Sequence, residues 1–212
     1  MNEKSVSLQT LRRLPFYLHY LRTVQPRLTH ISATAIAEKL GLNDVQVRKD
    51  LAAVSGRGRP KTGYNTDELI AQLEAYLGCT SLSPAVLVGA GNLGKALLAY
   101  DGFSDYGLEI IAAFDADPAL SGVRISGKPV LPMMRLREVC EASQVRLGII
   151  TVPASAAQEA CDELTGYGVR AVWNFAPTVL RVPPDVQVEN ENLASSLAVL
   201  HRHLRQAEEA NA

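Results

Sequence analysis

The chain has 212 residues, of which 47% are hydrophobic and 20% are charged, a composition typical of folded globular proteins rather than disordered ones. Its formal net charge of −1 hides an asymmetry, because residues 10–64 contain 10 basic and 3 acidic residues and carry a net charge of +7. Such an asymmetry predicts two domains, with a polyanion as a candidate partner of the first.

The cysteines Cys79, Cys140 and Cys161 are scattered along the chain, which indicates a reducing compartment and no zinc site. No apolar run approaches the roughly 18–20 residues that cross a membrane. The N-terminus also lacks the apolar core of a signal peptide. We therefore expect a cytoplasmic protein with no membrane association and no bound metal.

The first part of the chain, residues 7–78, has the periodicity of helices joined by turns. Leu14, Leu18 and Leu21 recur at helical spacing, and Pro15 suits the first turn of that helix. We expect a helical domain over residues 1–80.

A helix-turn-helix is predicted within this domain. Ser32 is a suitable N-cap for a short helix that Gly41 would end, and Asn43 or Asp44 would begin the second helix. In such motifs the second helix enters the major groove, where arginine reads guanine and glutamine can read adenine. The side chains that we expect to contact DNA from this helix are Gln46, Arg48 and Lys49. The alternative is a solvated helix face formed by Arg48, Lys49 and Asp50.

Residues 55–64 are too rich in glycine and proline for a helix and are typical of the wing of a winged helix. Arg57, Arg59 and Lys61 occupy alternate positions, so an extended hairpin would point all three side chains the same way. We expect these three residues to contact a minor groove or DNA phosphates. A flexible surface loop with incidental charge is the alternative.

The periodicity changes after Pro84. Short apolar runs alternate with helical patterns, at residues 85–88, 92–100, 108–114, 145–151, 154–167 and 170–174. This alternation predicts an α/β fold, a Rossmann-type doubly wound parallel sheet over residues 81–188. The last segment, residues 189–212, contains a helix with one apolar stripe formed by Leu193, Leu197, Leu200 and Leu204.

A glycine motif lies between the first apolar run of the sheet and the helical pattern after it, as a dinucleotide site requires. The motif consists of Gly89, Ala90, Gly91, Asn92, Leu93 and Gly94. Asp115 follows at the end of the next strand, where a carboxylate binds ribose hydroxyls and repels a 2′-phosphate. The motif therefore favours NADH and NAD⁺ over their phosphorylated forms. Asp117 is an alternative ribose ligand, and a glycine-rich turn without a ligand is the alternative to the site.

Two further segments follow predicted strands and would line the nicotinamide half of this site. They are Thr151, Val152 and Pro153, and Asn174, Phe175, Ala176 and Pro177. Both segments are equally compatible with plain strand-to-helix turns. The chain has no further substrate domain and no histidine in a predicted strand-end loop of the sheet, whereas a hydride-transfer enzyme needs an acid–base group beside the nicotinamide. We therefore expect no enzymatic activity.

Together these features resemble the Rex family of redox-sensing transcriptional repressors, over nearly the whole chain. The resemblance is carried by Arg13-Leu14-Pro15, Val47-Arg48-Lys49-Asp50-Leu51, Gly63-Tyr64, Gly89–Gly94, Phe114-Asp115-Ala116-Asp117-Pro118, Thr151-Val152-Pro153 with Ala157-Gln158, and Asn174-Phe175-Ala176-Pro177. It implies a homodimer in which the C-terminal helix is swapped onto the partner. It also implies binding to palindromic double-stranded operator DNA, release by NADH and competition from NAD⁺.

The chain departs from the family pattern in the wing and at the redox switch. The family wing is closer to Gly-Lys/Arg-Arg-Gly-Val-Gly-Tyr, so the basic residues of segment 58–64 are displaced. Some members use an arginine in the first helix, a tyrosine after the glycine motif and an aspartate at the start of the swapped helix. The corresponding residues here are His19, Tyr100 and Asn192, which are the switch candidates.

The motifs of the sequence are also compatible with two other functions. One is a small NAD-dependent dehydrogenase with an accessory N-terminal domain, which turnover of NADH with a carbonyl substrate would reveal. The other is a DNA-binding protein whose sheet binds a different nucleotide ligand, because one sensor fold supports many functions.

Overall fold

The computed structural model describes residues 6–210. They form two compact units, which are described separately. The N-terminal unit comprises the described residues through Leu82 together with Ser104–Gly107, and the sheet unit comprises Ser83–Phe103 and the described residues from Leu108 on. Within residues 6–210, the helices are too short or too polar to cross a membrane.

The N-terminal unit consists of four helices and a two-stranded antiparallel ribbon. In chain order its elements are α1 (Leu8–Val24), β1 (His30–Ile31), α2 (Ala33–Leu40), α3 (Asp44–Ser55), β2 (Tyr64–Asn65) and α4 (Thr66–Leu77). One apolar core joins all four helices, and its fully buried side chains include Leu14, Leu18, Leu21, Ile36, Val47, Leu51, Leu69 and Leu73. The apolar residues that recur at helical spacing in the sequence are therefore the ones that pack in this core.

The predicted ends of the helix-turn-helix are confirmed. Ser32 caps α2 by accepting a hydrogen bond from the Ala35 amide, and Gly41 ends the helix in the left-handed conformation with φ of 65°. Asn43 caps α3, and its side-chain oxygen accepts from the backbone amides of Val45 and Gln46. These caps satisfy amides that the first turn of a helix leaves without partners.

The position of Pro15 in the first helix differs from the prediction. Ser7 caps α1, so the helix begins at Leu8 and Pro15 lies in its interior rather than in its first turn. A proline there removes one backbone hydrogen bond. The helix nevertheless continues to Val24, because Leu14, Leu18 and Leu21 are fully buried in the core.

The sheet unit is an α/β structure with one seven-stranded sheet. Its elements are β3 (Ser83–Val88), α5 (Asn92–Ala99), β4 (Leu108–Asp115), β5 (Arg124–Ile125), β6 (Lys128–Pro132), α6 (Leu136–Ala142), β7 (Leu147–Ile150), α7 (Ala154–Gly166), β8 (Ala171–Asn174), β9 (Gln187–Asn190) and α8 (Leu193–Ala210). The strand order is β5-β6-β4-β3-β7-β8-β9, and only the β5–β6 pair is antiparallel. The order reverses between β3 and β7, which is where ligands bind in such sheets.

Several peripheral elements of the sheet unit have only a weak signal in the sequence. Strands β5, β6 and β9 and helix α6 were not predicted, and β9 extends to Asn190, beyond the boundary drawn at residue 188. β9 is an edge strand with no buried residue, and β6 contains two prolines. Because neither strand has an apolar run, sequence periodicity could not reveal them.

Two glycines of the motif allow α5 to pack closely on the sheet. Gly89 has φ of 103°, a conformation open mainly to glycine. A Cβ atom at Gly94 would collide with the backbone carbonyl of Gly89. The third, Gly91, has φ of −68°, and a Cβ there would meet no atom within 4 Å.

We expect Gly94→Ala to destabilise the sheet unit by about 1–3 kcal/mol or more, the usual cost of forcing extra volume into a packed interior. The matched control is Gly91→Ala, which should leave the free energy of unfolding nearly unchanged. Chemical denaturation of both variants and the unmodified protein measures the difference. Equal destabilisation by the two substitutions would contradict the packing described for α5.

Candidate functional site

The glycine loop leaves the N-terminus of α5 open. Gly91 precedes the helix and provides no side-chain cap, so no side chain of the loop satisfies the first amides of α5. Asn92 is exposed, and Leu93 is half-buried. Free amides at a helix N-terminus attract an anion such as a pyrophosphate. The open space beside Gly91 would allow such a group to approach the backbone.

Asp115 is held directly beside this loop. Its Oδ2 accepts a hydrogen bond from the Ala90 amide at 2.6 Å, and its Oδ1 accepts one from the Asp117 amide at 2.8 Å. These bonds fix the carboxylate at the end of β4. Asp117 turns away to cap the short helical turn after it, accepting from the Ala119 amide, so Asp115 is the better-placed ribose ligand of the two.

A cavity of about 480 Å³ connects the glycine loop, Asp115 and the end of β7. Thr151 lines it and donates a hydrogen bond to the Gly89 carbonyl at 2.6 Å. The other lining residues are Val88, Gly91, Phe114, Ala116, Met133, Val152, Pro153, Ala156, Glu159, Ala160 and Glu163. A mostly apolar cavity that meets open amides and a fixed carboxylate fits the adenosine half of a dinucleotide.

The second predicted segment does not line this cavity. Asn174 is fully buried, and its side-chain amide donates to the Ala176 and Thr178 carbonyls and to Asn190 Oδ1. Its oxygen accepts from the Ala176 amide. Asn174 therefore holds the turn after β8 together, and its side chain is engaged within the protein. Phe175, Ala176 and Pro177 border a separate pocket of about 530 Å³, which Asn190–Asn192 also line.

The three switch candidates lie in different surroundings. His19 is exposed on α1 of the N-terminal unit. In the sheet unit, Tyr100 is 55% exposed and begins a row of aromatic rings, which continues through Phe103, Trp173 and Phe175 with centroids 4.6–5.7 Å apart. Asn192 accepts hydrogen bonds from the Ala194 and Ser195 amides and so caps α8. Their role in a switch stays a prediction.

In the N-terminal unit, α3 and the wing enclose a basic groove of about 640 Å³. The five basic residues that line it, all exposed, are Arg48, Lys49, Arg57, Arg59 and Lys61. Arg48 forms an ion pair with Asp44 one turn earlier at 3.0 Å. Gln46, the sixth predicted DNA-binding residue, is exposed but does not line the groove. The groove thus concentrates positive charge between the helix and the wing.

The wing is shorter than the extended hairpin that the alternation of basic residues suggested. Arg59 and Gly63 exchange two backbone hydrogen bonds of 2.7 and 2.9 Å, and only residues 60–62 lie between them. Lys61 is at the centre of this loop with φ of 68°. Side chains alternate between two faces only where the strand is extended, and here the chain reverses at Lys61. The prediction that Lys61 points the same way as Arg57 and Arg59 is therefore wrong, although its side chain still borders the groove.

The structure contains a polar cluster around Asp50 that is not among the predicted sites. Asp50 is 2% exposed, so it is not part of a solvated face of α3. Its Oδ1 accepts hydrogen bonds from Thr10, Arg13 and Gln46, and its Oδ2 accepts from Arg13 and Tyr17, at distances of 2.7–3.0 Å. Thr10, Arg13 and Tyr17 follow one another at helical spacing on α1, which is the signal that could have revealed a shared polar face.

These hydrogen bonds keep Asp50 ionised. Burial alone would raise its pKa, but the hydrogen bonds from Arg13, Tyr17, Gln46 and Thr10 outweigh it and lower the pKa below the ordinary value. Burial, and then the hydrogen bond to Asp50, raise the pKa of Tyr17 to about 12. The hydrogen bond to Asp50 also raises the pKa of Arg13. The cluster therefore couples α1 to α3 through a buried charge.

A helix-turn-helix with a basic wing, followed by a sheet with an open glycine loop, defines a class of protein. It is the class of transcription regulators that combine a DNA-binding unit with a nucleotide-binding sensor unit. Comparisons with known proteins narrow this class to one family.

Two family models match the chain. Residues 5–52 match the model described as "Putative DNA-binding protein N-terminus", and residues 80–178 match the model described as "CoA binding domain". Among curated relatives, the redox-sensing transcriptional repressor Rex of Bacteroides fragilis is 40% identical over 196 residues, covering 92% of this chain and 89% of the relative.

Solved structures give the same result. RSP, a Rex-family repressor, is 33% identical, and its structure in complex with β-NAD⁺ and operator DNA has a TM-score of 0.90 and covers 98% of this chain and 96% of RSP. Its structure in complex with β-NADH has a TM-score of 0.85, with 97% of each chain covered.

The chain belongs to the Rex family of redox-sensing transcriptional repressors. The predicted fold class is confirmed, and so is the prediction that the protein is a regulator rather than a dehydrogenase. The individual site residues stay predictions, supported by the geometry above.

The ionised Asp50 predicts a particular dependence of stability on pH. Its pKa is lower in the folded chain than the value of about 3.9 expected in the unfolded chain, so the unfolded state binds more protons between these values. The stabilisation is therefore present above pH 4 and is lost as the pH falls through the folded pKa. We expect Asp50→Asn to lack this acid-sensitive component.

Urea unfolding between pH 2.5 and 7 tests this expectation. Asp44→Asn, which removes an exposed carboxylate from the same helix, is the matched control and should keep the acid-sensitive component. Identical pH dependence in Asp50→Asn and the unmodified protein would contradict the role given to Asp50.

Proposed function

We propose that this protein is a cytoplasmic, homodimeric repressor that binds palindromic operator DNA and is released when NADH binds to the sheet unit. The observation that carries the proposal is the open N-terminus of α5, where Gly91, Asp115 and an apolar cavity fit a dinucleotide without a 2′-phosphate. NAD⁺ would compete for this site, so occupancy would report the ratio of NADH to NAD⁺.

The basic groove supports the DNA-binding half of the proposal. Arg48 and Lys49 on α3 would enter the major groove, and Arg57, Arg59 and Lys61 of the wing would contact phosphates or the minor groove. Within the described residues, no carboxylate forms an ion pair with Lys49 or with the three wing residues. Their charges are therefore available to phosphates.

The C-terminal helix supports the dimer. Leu197, Leu200 and Leu204 are 57–66% exposed, although three leucines on one helix face normally pack against another surface. We propose that this stripe packs on a second copy of the chain, as the family resemblance implies. The side chain of Leu193, the first residue of the predicted stripe, lies outside the described ones.

NADH can release the operator only if it binds two arrangements of the dimer with different affinity. The required difference is that the NADH-bound arrangement no longer presents the two α3 helices to successive major grooves. Operator DNA must then weaken NADH binding by the same factor. The relative RSP supports this scheme, because its structures contain operator DNA with β-NAD⁺ in one case and β-NADH in another.

The experiment that tests the proposal is an operator-binding titration with NADH at several fixed NAD⁺ concentrations and a stated salt concentration. We expect NADH to dissociate the complex and NAD⁺ to raise the NADH concentration required. Competition by other nucleotides in the same assay tests the alternative ligand. An operator affinity that does not change with NADH would contradict the proposed release.

Arg48→Ala tests whether α3 contacts the bases of the operator. We expect a loss of about 1–3 kcal/mol in specific operator binding, the value of one good contact between arginine and a base. NADH affinity of the free protein should not change, because Arg48 lies in the other unit. Fluorescence anisotropy with a labelled duplex measures the operator affinity, and NADH fluorescence measures the cofactor affinity. Normal operator binding by Arg48→Ala would mean that Arg48 does not contact the bases.

Gly91→Ala tests the dinucleotide site. A methyl group at Gly91 would occupy the space beside the first amides of α5 and hinder the pyrophosphate. Hydrogen bonds to charged groups contribute about 1.5–3 kcal/mol each, so we expect the Kd for NADH to rise about tenfold or more. The stability of this variant, measured as above, serves as the folding control. An unchanged Kd would mean that the cofactor binds elsewhere.

A further inference from the structure

The Gln46 side chain is held by a buried charge at the edge of the DNA-binding face. Its Nε2 donates a hydrogen bond to Asp50 Oδ1 at 2.8 Å, one turn further along α3. Thr10 and Arg13 of α1 donate to the same oxygen. Gln46 is exposed and lies in the first turn of α3, the part of a recognition helix that meets base edges.

The charge of Asp50 determines which end of the Gln46 amide faces inward. An ionised carboxylate accepts hydrogen bonds and donates none, so only Nε2 can face it. The opposite orientation would direct Gln46 Oε1 at a carboxylate oxygen, which is repulsive. The amide therefore keeps Oε1 and one remaining N–H of Nε2 available for another partner.

This remaining pair of groups matches one base. In the major groove adenine presents an acceptor, N7, beside a donor, the N6 amino group, whereas guanine presents two acceptors. An oxygen acceptor next to one N–H donor is complementary to adenine in a bidentate contact. A freely rotating amide could instead direct both of its N–H groups at guanine.

We propose that Asp50 is a positioning residue that orients the Gln46 amide and thereby makes α3 specific for adenine at one position in each operator half-site. This inference rests on the proposed function, because it requires that α3 bind operator DNA. It gives α1 a role in sequence specificity, since Thr10 and Arg13 hold the carboxylate that holds Gln46.

Selection from a randomised duplex DNA library provides the base preference at each position. We expect Gln46→Ala to lose an adenine preference of about 5- to 150-fold at one position per half-site, as for the loss of one bidentate contact, and to keep the other preferences. Arg48→Ala is the matched control and should change a different position. Identical base profiles for Gln46→Ala and the unmodified protein would overturn the proposal.

Asp50 variants separate positioning from a merely structural role. Asp50→Asn lets the Gln46 amide turn over, so we expect the adenine preference at that same position to fall, with no further loss when it is combined with Gln46→Ala. Tyr17→Phe removes a hydrogen bond from Oδ2 only, and it should lower stability without changing the base profile. An Asp50→Asn profile that weakens uniformly at all positions would overturn the proposal.

A measurement on the unmodified protein tests the adenine contact without any Asp50 variant. Replacing the adenine by 7-deazaadenine deletes the N7 acceptor, and we expect weaker binding by the unmodified protein but unchanged binding by Gln46→Ala. Equal affinity of the unmodified protein for both duplexes would overturn the proposal. Failure of the proposed function would be distinguishable, because no duplex would then be selected from the library at all.

Discussion

One buried carboxylate connects the two helices on which the DNA-binding unit depends. Asp50 lies on α3, but four of the five groups that donate hydrogen bonds to it belong to three residues of α1. A buried charge is costly unless its lone pairs are satisfied, and here the hydrogen bonds are sufficient to lower its pKa. The orientation of α3 is therefore tied to α1 by a polar contact that tolerates little displacement, in addition to the apolar core.

The two units handle negatively charged partners by different means. The N-terminal unit surrounds a groove with five basic side chains, which suits a long polyanion whose phosphates are widely spaced. The sheet unit instead offers backbone amides at the start of α5 and a carboxylate at Asp115, which suits a short pyrophosphate attached to a ribose. This contrast explains why the chain can be nearly neutral and still combine both sites.

Much of the fold was predictable because its strongest signals are local. Each of these signals affects only the backbone within a few residues, so a linear pattern reveals it. They are the helix caps Ser32 and Asn43, the terminal Gly41 and the glycine motif. The prediction failed where the signal was weak or nonlocal. Strands β5, β6 and β9 have little apolar periodicity, and no pattern in the sequence indicates that the Asn174 side chain donates to Asn190 on the neighbouring strand. The place of Asn174 at the ligand stays a prediction.

Local conformational preference and composition fix the class of fold, the glycine loop, the helix-turn-helix and the concentration of positive charge, so these features follow from the amino-acid sequence. Which polar side chains come into contact depends instead on how the chain packs in three dimensions. Asp50 is separated from Arg13 by 37 residues, and Thr151 from Gly89 by 62, so no spacing rule relates them. Their contacts exist because packing of apolar surfaces brings distant segments together, and the buried polar groups must then find partners there.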